Sequence, residues 1–288
     1  MAVDLHTHST FSDGTLTPTA LVDLAASQGV SILALTDHDT VEGVPEALER
    51  GRQLGVEVVS GLEIGCIHRG VSYHILGYWI DHHNVELRSW LRKLQQGRRE
   101  RNRKILQRLQ GLGIDIDEGE VQQVSGCGQT GRPHIARLLV HKGVVADLDQ
   151  AFRRYLRKGA AAWASRFVYS AEETIAMIHL AGGVAVLAHP LQGGISPAQL
   201  NGCIGELATA GLDGLELYYP SHTKKGRRRL HRIALQYDLA LSGGSDFHGD
   251  NRPGTRLCRV GNGCEVSEEL VSLLGRRRFP PAVHRPAA

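Results

Sequence analysis

The chain has 288 residues, of which 42% are hydrophobic and 22% are charged, and its formal net charge is +3. These values describe an ordinary soluble globular protein, and the small net charge does not by itself indicate nucleic-acid binding. The 5 cysteines are odd in number and include no Cys-x-x-Cys pair, which argues against a disulfide framework and a cysteine-type zinc site, whereas 15 histidines are many for this length.

The sequence contains no apolar run that approaches the length of a membrane span. A cleaved signal peptide would need the residues that come before the first candidate ligand, His6, and that segment is too short. We therefore expect a cytoplasmic protein with no membrane association, and no protein partner is evident.

Strands and helices are predicted to alternate in the first 83 residues. Apolar runs predict strands at residues 1–5, 32–36, 56–60 and 71–78. Helices are predicted from Thr17-Pro18, which suits an N-cap and first turn, to Gly29, and from Val44 to Leu54. This alternation is typical of a parallel α/β sheet or barrel.

A helical insertion is predicted next. Residues 84–166 contain no convincing buried strand, but Leu87, Leu91 and Leu94 lie at helical spacing, and further helices are predicted from Arg132 and over 147–156. The alternation then resumes, with strands predicted at 184–188, 212–217 and 239–242. We expect a barrel formed by 1–83 and 167–288, with 84–166 as a cap domain.

The strand ends carry side chains of the types that bind metals. His6 and His8 lie two residues apart at the end of the first strand and therefore point to one face, and Asp13 returns towards them after a turn that ends at Gly14. With one exception inside a strand, His74, the other candidates also lie at strand ends: His38, Glu63, His189, Asp246 and His248. Strand ends of a parallel α/β fold share one face, so these residues are expected to converge. Nine ligands suit two or three ions, and mixed histidine and carboxylate ligands admit Mn, Fe or Zn.

The motifs themselves resemble those of the PHP (polymerase and histidinol phosphatase) family. They are His6-Thr7-His8-Ser9 with Ser12-Asp13-Gly14, Thr36-Asp37-His38, Gly61-Leu62-Glu63, Ala188-His189-Pro190 and Gly244-Ser245-Asp246-Phe247-His248. The resemblance implies a distorted seven-stranded (β/α) barrel with three divalent metal ions, for which Mn²⁺ is expected.

Carried over by position, the resemblance also assigns the ligands. The first metal is expected on His6, His8, Glu63 and Asp246. The second is expected on Glu63, His74 and His189, with Glu63 as the bridge. The third is expected on Asp13, His38 and His248.

Within the family, the insertion and the segment Gly131-Arg132-Pro133-His134 are most similar to bacterial enzymes that dephosphorylate 3′,5′-nucleoside bisphosphates. Related members trim short RNA oligonucleotides from the 5′ end, so a 5′→3′ exoribonuclease is the alternative. An amidohydrolase is a weaker one, because those barrels begin with His-x-His but usually bridge their metals with a lysine. A non-catalytic PHP domain is disfavoured by the complete ligand set.

Several residues are candidates for holding a nucleotide substrate. Arg132 and His134 begin a helix, where an arginine fork and backbone amides suit a phosphate, although a charged helical turn would look the same. His222 and Lys225 follow the sixth strand and are alternatively part of a solvated loop. Ser9 is either a phosphate donor or a turn residue.

The expected reaction is metal-assisted hydrolysis of a phosphomonoester. A hydroxide bridging the first two metals, with Glu63 between them, would attack phosphorus. Either His222 or a metal-bound water would protonate the leaving oxygen.

The basic stretch 98–104 is most simply a solvated helix face, with a weak attraction for polyanions as the other interpretation.

Overall fold

Seven strands form one sheet in a computed structural model that describes residues 2–125, 129–192, 195–260 and 266–278. The strands are β1 (Ala2–Thr7), β2 (Val30–Leu35), β3 (Glu57–His68), β4 (Val71–Tyr78), β5 (Val184–Leu187), β6 (Gly214–Tyr218) and β7 (Ala240–Gly243). Their order in the sheet follows their order in the chain. The α/β class and the number of strands are as predicted.

The sheet departs from a purely parallel arrangement at β4. This strand runs antiparallel to both of its neighbours, β3 and β5, whereas the other neighbouring strands are parallel. β3 is also longer than the 56–60 run that was predicted, so Glu63 lies inside this strand and not just past its end. The resulting β3–β4 hairpin pairs Glu63 with Leu76 and Gly65 with His74, which places two candidate ligands on adjacent strands.

The two edges of the sheet approach each other through the segment that follows β7. Phe247 forms a parallel bridge with Thr7, and the backbone N–H of His8 donates to the carbonyl oxygen of Phe247 at 2.9 Å. A second bridge joins Val3 to Val266. The segment that carries Asp246 is thereby fixed beside the end of β1.

Ten α-helices occur in the described part of the chain. They are α1 (Pro18–Ser27), α2 (Val44–Leu54), α3 (Val85–Gly111), α4 (Glu118–Ser125), α5 (Arg132–His141), α6 (Leu148–Ala151), α7 (Ala171–Leu180), α8 (Pro197–Thr209), α9 (Lys224–Gln236) and α10 (Glu268–Gly275). α6 continues into a π-helix, Phe152–Leu156, and α4 was not predicted. None of the helices that the structure describes is both long and apolar enough to cross a membrane.

The side chains of α3 enter two separate hydrophobic clusters. Its first half contributes Leu87, Leu91 and Leu94 to the cluster under the sheet. Its second half contributes Ile105, Leu106 and Leu109 to a second cluster, which also contains residues of α4, α5 and α6 and extends to Ala164. α3 therefore connects the helical insertion rigidly to the sheet, and the described residues of 84–166 contain no strand.

Candidate metal centre

All nine candidate ligands come together at one end of the sheet. They are supplied by β1 and the loop after it, the segment after β2, the β3–β4 hairpin, the segment after β5 and the segment after β7. These residues are His6, His8, Asp13, His38, Glu63, His74, His189, Asp246 and His248. Positive φ angles of 29° at His189 and 53° at Asp246 turn the chain sharply at two of them. Such backbone conformations are uncommon for residues other than glycine and are typical of functional sites.

Three groups of these side chains have atoms close enough to share an ion. In each group, ligand atoms from every member lie within 4.8 Å of one another. The groups are His6, His8, Glu63 and Asp246; His38, Glu63 and His74; and His8, Asp13, His38 and His248. The groups overlap at His8, His38 and Glu63, which is the geometry expected of adjacent ions that share ligands.

Glu63 lies at the centre of the cluster. Its Oε1 lies 2.7 Å from His74 Nδ1 and 3.0 Å from His189 Nε2, and its Oε2 lies 3.0 Å from His38 Nδ1. The Nε2 atoms of His6 and His8 are each 3.4 Å from Oε2. The two oxygens thus face different sets of imidazoles, as a bridging carboxylate would.

The cluster fits a bound metal because its inward-facing atoms are not otherwise satisfied. Five of them are buried without a hydrogen-bond partner in the described part of the chain: His6 Nε2, His8 Nε2, Asp13 Oδ1, His38 Nδ1 and Glu63 Oε2. A buried polar atom without a partner costs about 1–3 kcal/mol. Divalent ions coordinated by these nitrogen and oxygen atoms would remove that cost.

The charges of the cluster favour metal binding. Burial alone would raise the pKa of Glu63, but His38, His74 and His6 hold it well below its ordinary value. Neighbouring histidines likewise overcome the effect of burial and hold the pKa values of Asp13 and Asp246 well below the ordinary range. All three carboxylates are therefore ionised at neutral pH, which is the form that binds a metal.

The histidines divide into two protonation classes. Burial and the nearby His248 lower the pKa of His8 to about 3, so this ring is neutral and has a lone pair for a metal. Burial acts in the same direction on His38, but Glu63 and Asp13 overcome it and raise the pKa to about 8. A cation bound between these carboxylates would replace that proton.

A second layer of side chains orients the ligands. The Oε1 of the fully buried Glu216 lies 2.8 Å from His6 Nδ1, which leaves Nε2 directed into the cluster, and its Oε2 accepts a hydrogen bond from the backbone N–H of His189 at 2.6 Å. The hydroxyl of Tyr219 donates to Asp246 Oδ2 at 2.8 Å, and Arg252 also donates to that oxygen. Partners of this kind fix ring tautomers and carboxylate orientation at metal sites.

The Ser9 hydroxyl donates to a carboxylate outside the set of candidate ligands. It donates to Asp37 Oδ2 at 2.6 Å, and the backbone N–H of Ser9 donates to Asp37 Oδ1 at 2.8 Å. The Ser12 hydroxyl also donates to Asp37 Oδ1, at 2.6 Å. These bonds show Ser9 as a turn residue that shapes the loop carrying Asp13, and a phosphate contact of Ser9 stays a prediction.

A cavity of about 260 Å³ opens above the cluster. Its walls combine Asp13, His38, Glu63, His74, His189, Asp246 and His248 with Pro133, Leu148, Phe152, Gln192, Asn251 and Arg252. Pro133, Leu148 and Phe152 belong to the helical insertion, so the insertion forms one side of the site. The polar groups that sequence reasoning missed, Gln192, Asn251 and Arg252, lie just beyond ligand segments and carry no motif of their own.

The predicted substrate residues differ in how close they lie to the cavity, and His222 and Lys225 do not line it. His222 is 1% exposed, and its ring centroid lies 5.2 Å from that of Tyr219. Burial lowers its pKa, so it is neutral at pH 7. Neither His222 nor Lys225 is among the described residues that line the cavity, and Lys225 is exposed on α9. The structure therefore does not support His222 as the acid or Lys225 as a ligand of a phosphate in this cavity.

The other pair lies at the N-terminus of α5, directly beside the cavity wall formed by Pro133. His134 Nδ1 accepts a hydrogen bond from the backbone N–H of Gly131 at 2.9 Å, and burial lowers its pKa to about 4. It is neutral at pH 7 and adds no positive charge for a phosphate. Arg132 is half-buried and remains available as a cation.

Comparisons with known proteins agree with this site. A profile of the PHP domain matches residues 4–158. A 5′-3′ exoribonuclease from Haemophilus influenzae is 38% identical over 245 residues, covering 85% of this chain and 89% of the relative. A 3′,5′-nucleoside bisphosphate phosphatase from Chromobacterium violaceum is 35% identical over 256 residues, covering 88% and 89%. A solved structure from Bifidobacterium adolescentis, assigned as a metal-dependent phosphoesterase, has a TM-score of 0.85 at 32% identity and covers 96% of both chains.

Replacing the central carboxylate tests its bridging role. Glu63→Gln keeps the shape of the side chain but removes the charge that faces five imidazoles, so the metal content per chain and the hydrolytic activity should both fall steeply while the circular dichroism spectrum stays unchanged. Glu57→Gln, an exposed position on the same strand, is the matched control. Full metal content and near wild-type turnover in Glu63→Gln would refute the bridge.

Asp13 tests the outer group of ligands. Its Oδ1 lies 3.2 Å from His248 Nε2 and its Oδ2 lies 3.8 Å from His38 Nε2. Because Asp13 belongs to only one of the three groups, Asp13→Ala should reduce the metal-to-protein ratio only partly, by elemental analysis. Asp250→Ala, at an exposed aspartate nearby, should leave the ratio unchanged. An unaltered ratio in Asp13→Ala would show that Asp13 is not a ligand.

Proposed function

The chain belongs to the PHP domain family of phosphoesterases, and we propose that it removes the 3′-phosphate from 3′,5′-nucleoside bisphosphates, such as pAp, to give the 5′-mononucleotide and phosphate. The observation that carries this proposal is the presence of two adjacent places for phosphate. One is the cluster of nine candidate ligands, and the other is a group of four buried or half-buried arginines beside it.

The arginine group comprises Arg98, Arg101, Arg132 and Arg166. Asp39, itself fully buried, accepts hydrogen bonds from Arg98 Nε at 2.5 Å and from Arg166 Nη1 at 2.8 Å. The two guanidinium groups overcome the effect of burial and hold the pKa of Asp39 well below its ordinary value. One carboxylate therefore faces several cations, which leaves the group with an excess of positive charge.

Arg101 and Arg132 also indicate an excess of positive charge in the arginine group. Arg101 is 4% exposed, and its Nη2 has no hydrogen-bond partner in the described part of the chain. Burial, followed by repulsion from Arg98, Arg132 and Arg166, lowers the pKa of Arg101 well below its ordinary value. Burial and Arg98 also lower the pKa of Arg132. A bound phosphate would relieve this repulsion and satisfy the free guanidinium nitrogen.

The group lies next to the metal ligands. Asp39 follows His38 in sequence, and a side chain on Gly65 would contact both the Arg166 guanidinium and the His74 ring. Arg132 begins the helix whose next residue, Pro133, lines the cavity. A substrate with its reacting phosphate on the ligand cluster would place a second phosphate within reach of these arginines, and this remote contact positions the reacting group.

The ligands support a centre of three ions, one for each overlapping group, with the first on His6, His8, Glu63 and Asp246. We propose that His189 completes the second, beside Glu63 and His74, and that Mn²⁺ is the native metal. Fe and Zn share the same ligand preferences. Bound there, the ions would activate water for attack on phosphorus and neutralise charge on the phosphoryl oxygens.

The protein's own groups orient and enclose the substrate. Arg252 projects to the cavity from the segment after β7 and has 41% of its side chain exposed, so it can donate to a phosphoryl oxygen as well as to Asp246. Pro133, Leu148 and Phe152 provide an apolar wall on which a sugar or base would exclude water. The ionised carboxylates of Glu63, Asp13 and Asp246 would hold the metal ions, whose positive charge the reaction requires.

We propose that residues 84–166 act as the cap of this site and that 1–83 and 167–288 form the metal-binding domain. The side-chain amide of Gln129 donates to the carbonyl oxygen of His38 at 2.9 Å, and its backbone N–H donates to that of Phe11 at 3.2 Å. These bonds attach the insertion directly to the ligand-bearing loops. The cavity of about 260 Å³ beneath it is slightly smaller than the range of about 300–1,000 Å³ usual for ligand pockets, which favours a single nucleotide over a longer chain.

A 5′→3′ exoribonuclease acting on short RNA is the second candidate, favoured by the 38% identity to a relative of that name. It would use the same ligand cluster on a phosphodiester. The amidohydrolase alternative is less well supported, since Glu63 occupies the central position and no lysine is among the described residues that line the cavity.

Phosphate release from a panel of nucleotides decides between these functions. The panel should contain a 3′,5′-nucleoside bisphosphate, the corresponding 3′- and 5′-monophosphates, and 5′-phosphorylated oligoribonucleotides. We expect the highest kcat/KM for the bisphosphate, with the 5′-mononucleotide as product. Faster shortening of the oligoribonucleotides, with mononucleotide release, would establish the exoribonuclease instead.

Arg132 tests whether two anchors hold the substrate. Arg132→Ala should lower kcat/KM for the bisphosphate by about 10²-fold, because a charged hydrogen bond worth roughly 1.5–3 kcal/mol is lost. An aryl phosphate has no second phosphate and should be hydrolysed almost as fast as by the wild type.

The matched control is Arg137→Ala on the same helix, which should affect neither substrate. Equal losses on both substrates in Arg132→Ala would place Arg132 at the reacting phosphate or in the protein's structure, and would disprove the two-anchor arrangement.

A further inference from the structure

Asp39 lies between the arginine group and the candidate metal ligands and is bonded to both. It is fully buried, and its Oδ2 accepts hydrogen bonds from Arg98 on α3 and from Arg166, which precedes α7. Its Oδ1 accepts one from the backbone N–H of Gly65 at 3.2 Å, and Gly65 follows Glu63 by two residues on β3. One side chain therefore joins α3 and the segment before α7 to the hairpin that carries the central ligand.

The backbone of Asp39 also aligns two candidate ligands. Its N–H donates to the carbonyl oxygen of Glu63 at 2.9 Å, and the N–H of Glu63 donates to the carbonyl oxygen of Asp37 at 3.1 Å. These bonds enclose His38, which forms a parallel bridge with Glu63. A φ of 53° at Asp39 turns the chain directly after this bridge, in a conformation that aspartate and asparagine adopt more readily than most residues. A shift of Asp39 would therefore move both His38 and Glu63.

Asp39 sets the direction of two guanidinium groups as well. In the part of the chain that the structure describes, it is the only hydrogen-bond partner of the Arg98 and Arg166 side chains, and each donates through a single nitrogen. Their other N–H groups stay free for an oxyanion. Arg166 packs on Gly65, where a side chain would collide with the guanidinium and touch the ring of the candidate ligand His74. One carboxylate thus holds both arginines close to the ligand cluster.

A phosphate bound by these arginines would act on Asp39 directly. The phosphate and the carboxylate would share the same guanidinium groups, so the bonds that Asp39 accepts would weaken or change direction. Asp39 in turn follows His38 in the chain and is bonded through its own amide to Glu63. A contiguous network of hydrogen bonds therefore leads from the arginine group to the geometry of the ligand cluster.

We propose that Asp39 is a positioning residue that couples the arginine group to the metal ligands, so that a phosphate held by the arginines raises the rate of hydrolysis at the ligand cluster. The inference rests on the proposed phosphatase function, because it requires a substrate with a second phosphate. Binding energy from a remote part of the substrate then appears in kcat and not only in affinity.

The test compares Asp39→Asn with Asp238→Asn in the full-length, metal-loaded protein. Asparagine keeps the shape of the side chain and accepts the positive φ, so the change removes the charge. Asp238 is the matched control, because it also has a positive φ, of 50°, and accepts hydrogen bonds from an arginine, Arg277, at an exposed position. The substrates are a 3′,5′-nucleoside bisphosphate and the 3′-monophosphate, which lacks only the second phosphate.

Asp39→Asn should lower kcat for the bisphosphate by about 10–100-fold, as is usual when a partner that orients metal ligands is lost. KM for the bisphosphate should rise no more than about threefold, because the four arginines keep their charge. The ratio of kcat for the bisphosphate to kcat for the monophosphate should fall steeply in this variant and stay at the wild-type value in Asp238→Asn.

Metal loading provides a readout that is independent of turnover. Coupling between two binding sites is reciprocal, so a nucleotide on the arginine group should strengthen metal binding. After dialysis against limiting Mn²⁺, adenosine 5′-monophosphate should raise the metal content per chain of the wild type more than that of Asp39→Asn, by elemental analysis. An equal rise in both proteins would show that the nucleotide acts on the metal without Asp39 and would overturn the inference.

The kinetic outcomes also separate coupling from a purely structural ion pair. Equal losses of kcat on both substrates would assign Asp39 to the support of the fold alone, and a raised KM with unchanged kcat would assign it to binding alone. Either result would overturn the inference. If circular dichroism shows that Asp39→Asn does not fold, Arg166→Lys replaces it, since lysine keeps the charge but not the guanidinium that holds Asp39, and the same loss of kcat for the bisphosphate is expected.

The wild type distinguishes this inference from the proposed function. Equal kcat values for the bisphosphate and the monophosphate would overturn the coupling through Asp39 and leave the phosphatase in place. Failure to hydrolyse any phosphate ester would instead contradict the proposed function.

Discussion

The buried carboxylate of Glu63 is the constraint on which the rest of the site depends. It is 1% exposed and lies within 3.4 Å of nitrogen atoms from five histidines. A lone carboxylate in such a position would be protonated or would destabilise the fold, because desolvating its charge costs several kcal/mol. The surrounding imidazoles lower that cost only in part, since some are neutral, and a divalent cation bound to the cluster would balance the remaining negative charge.

Three further buried acids hold the ligand-bearing segments in place around this centre. Asp4 accepts hydrogen bonds from the Ser245 hydroxyl at 2.6 Å and from the backbone N–H of Cys258 at 2.7 Å, and therefore ties β1 to the segment that carries Asp246. Asp37 binds the loop after β1, and Glu216 links His6 to the backbone of His189. Each acid joins segments that are distant in the chain, so the site is assembled only when the whole sheet has formed.

Sequence reasoning predicted most of the elements and the convergence of the candidate ligands because both leave local signals, such as apolar runs, glycine and proline boundaries, and histidines at strand ends. It missed the extension of β3 through Glu63, since a glutamate inside a strand resembles a strand end until distant imidazoles neutralise it. It did not predict the contacts of Ser9 and His222, which depend on Asp37 and Tyr219 as neighbours in space. Arg252 was missed because only the closure of the sheet brings it to the cavity.

Positive charge is unevenly distributed around the metal centre. Some basic residues of the described chain pair with a single acid, as Arg50 pairs with Asp23 and Arg277 with Asp238. The arginine group around Asp39 carries charge in excess, because one carboxylate faces several guanidinium groups, and it lies beside the ligand cluster. Folding must overcome the repulsion within this group, whereas a ligand that brings a phosphate group relieves it. Such a ligand binds the folded state alone and stabilises it in proportion to RT ln(1 + [L]/Kd), so the energy stored in unpaired cations is recovered as affinity for phosphorylated substrates.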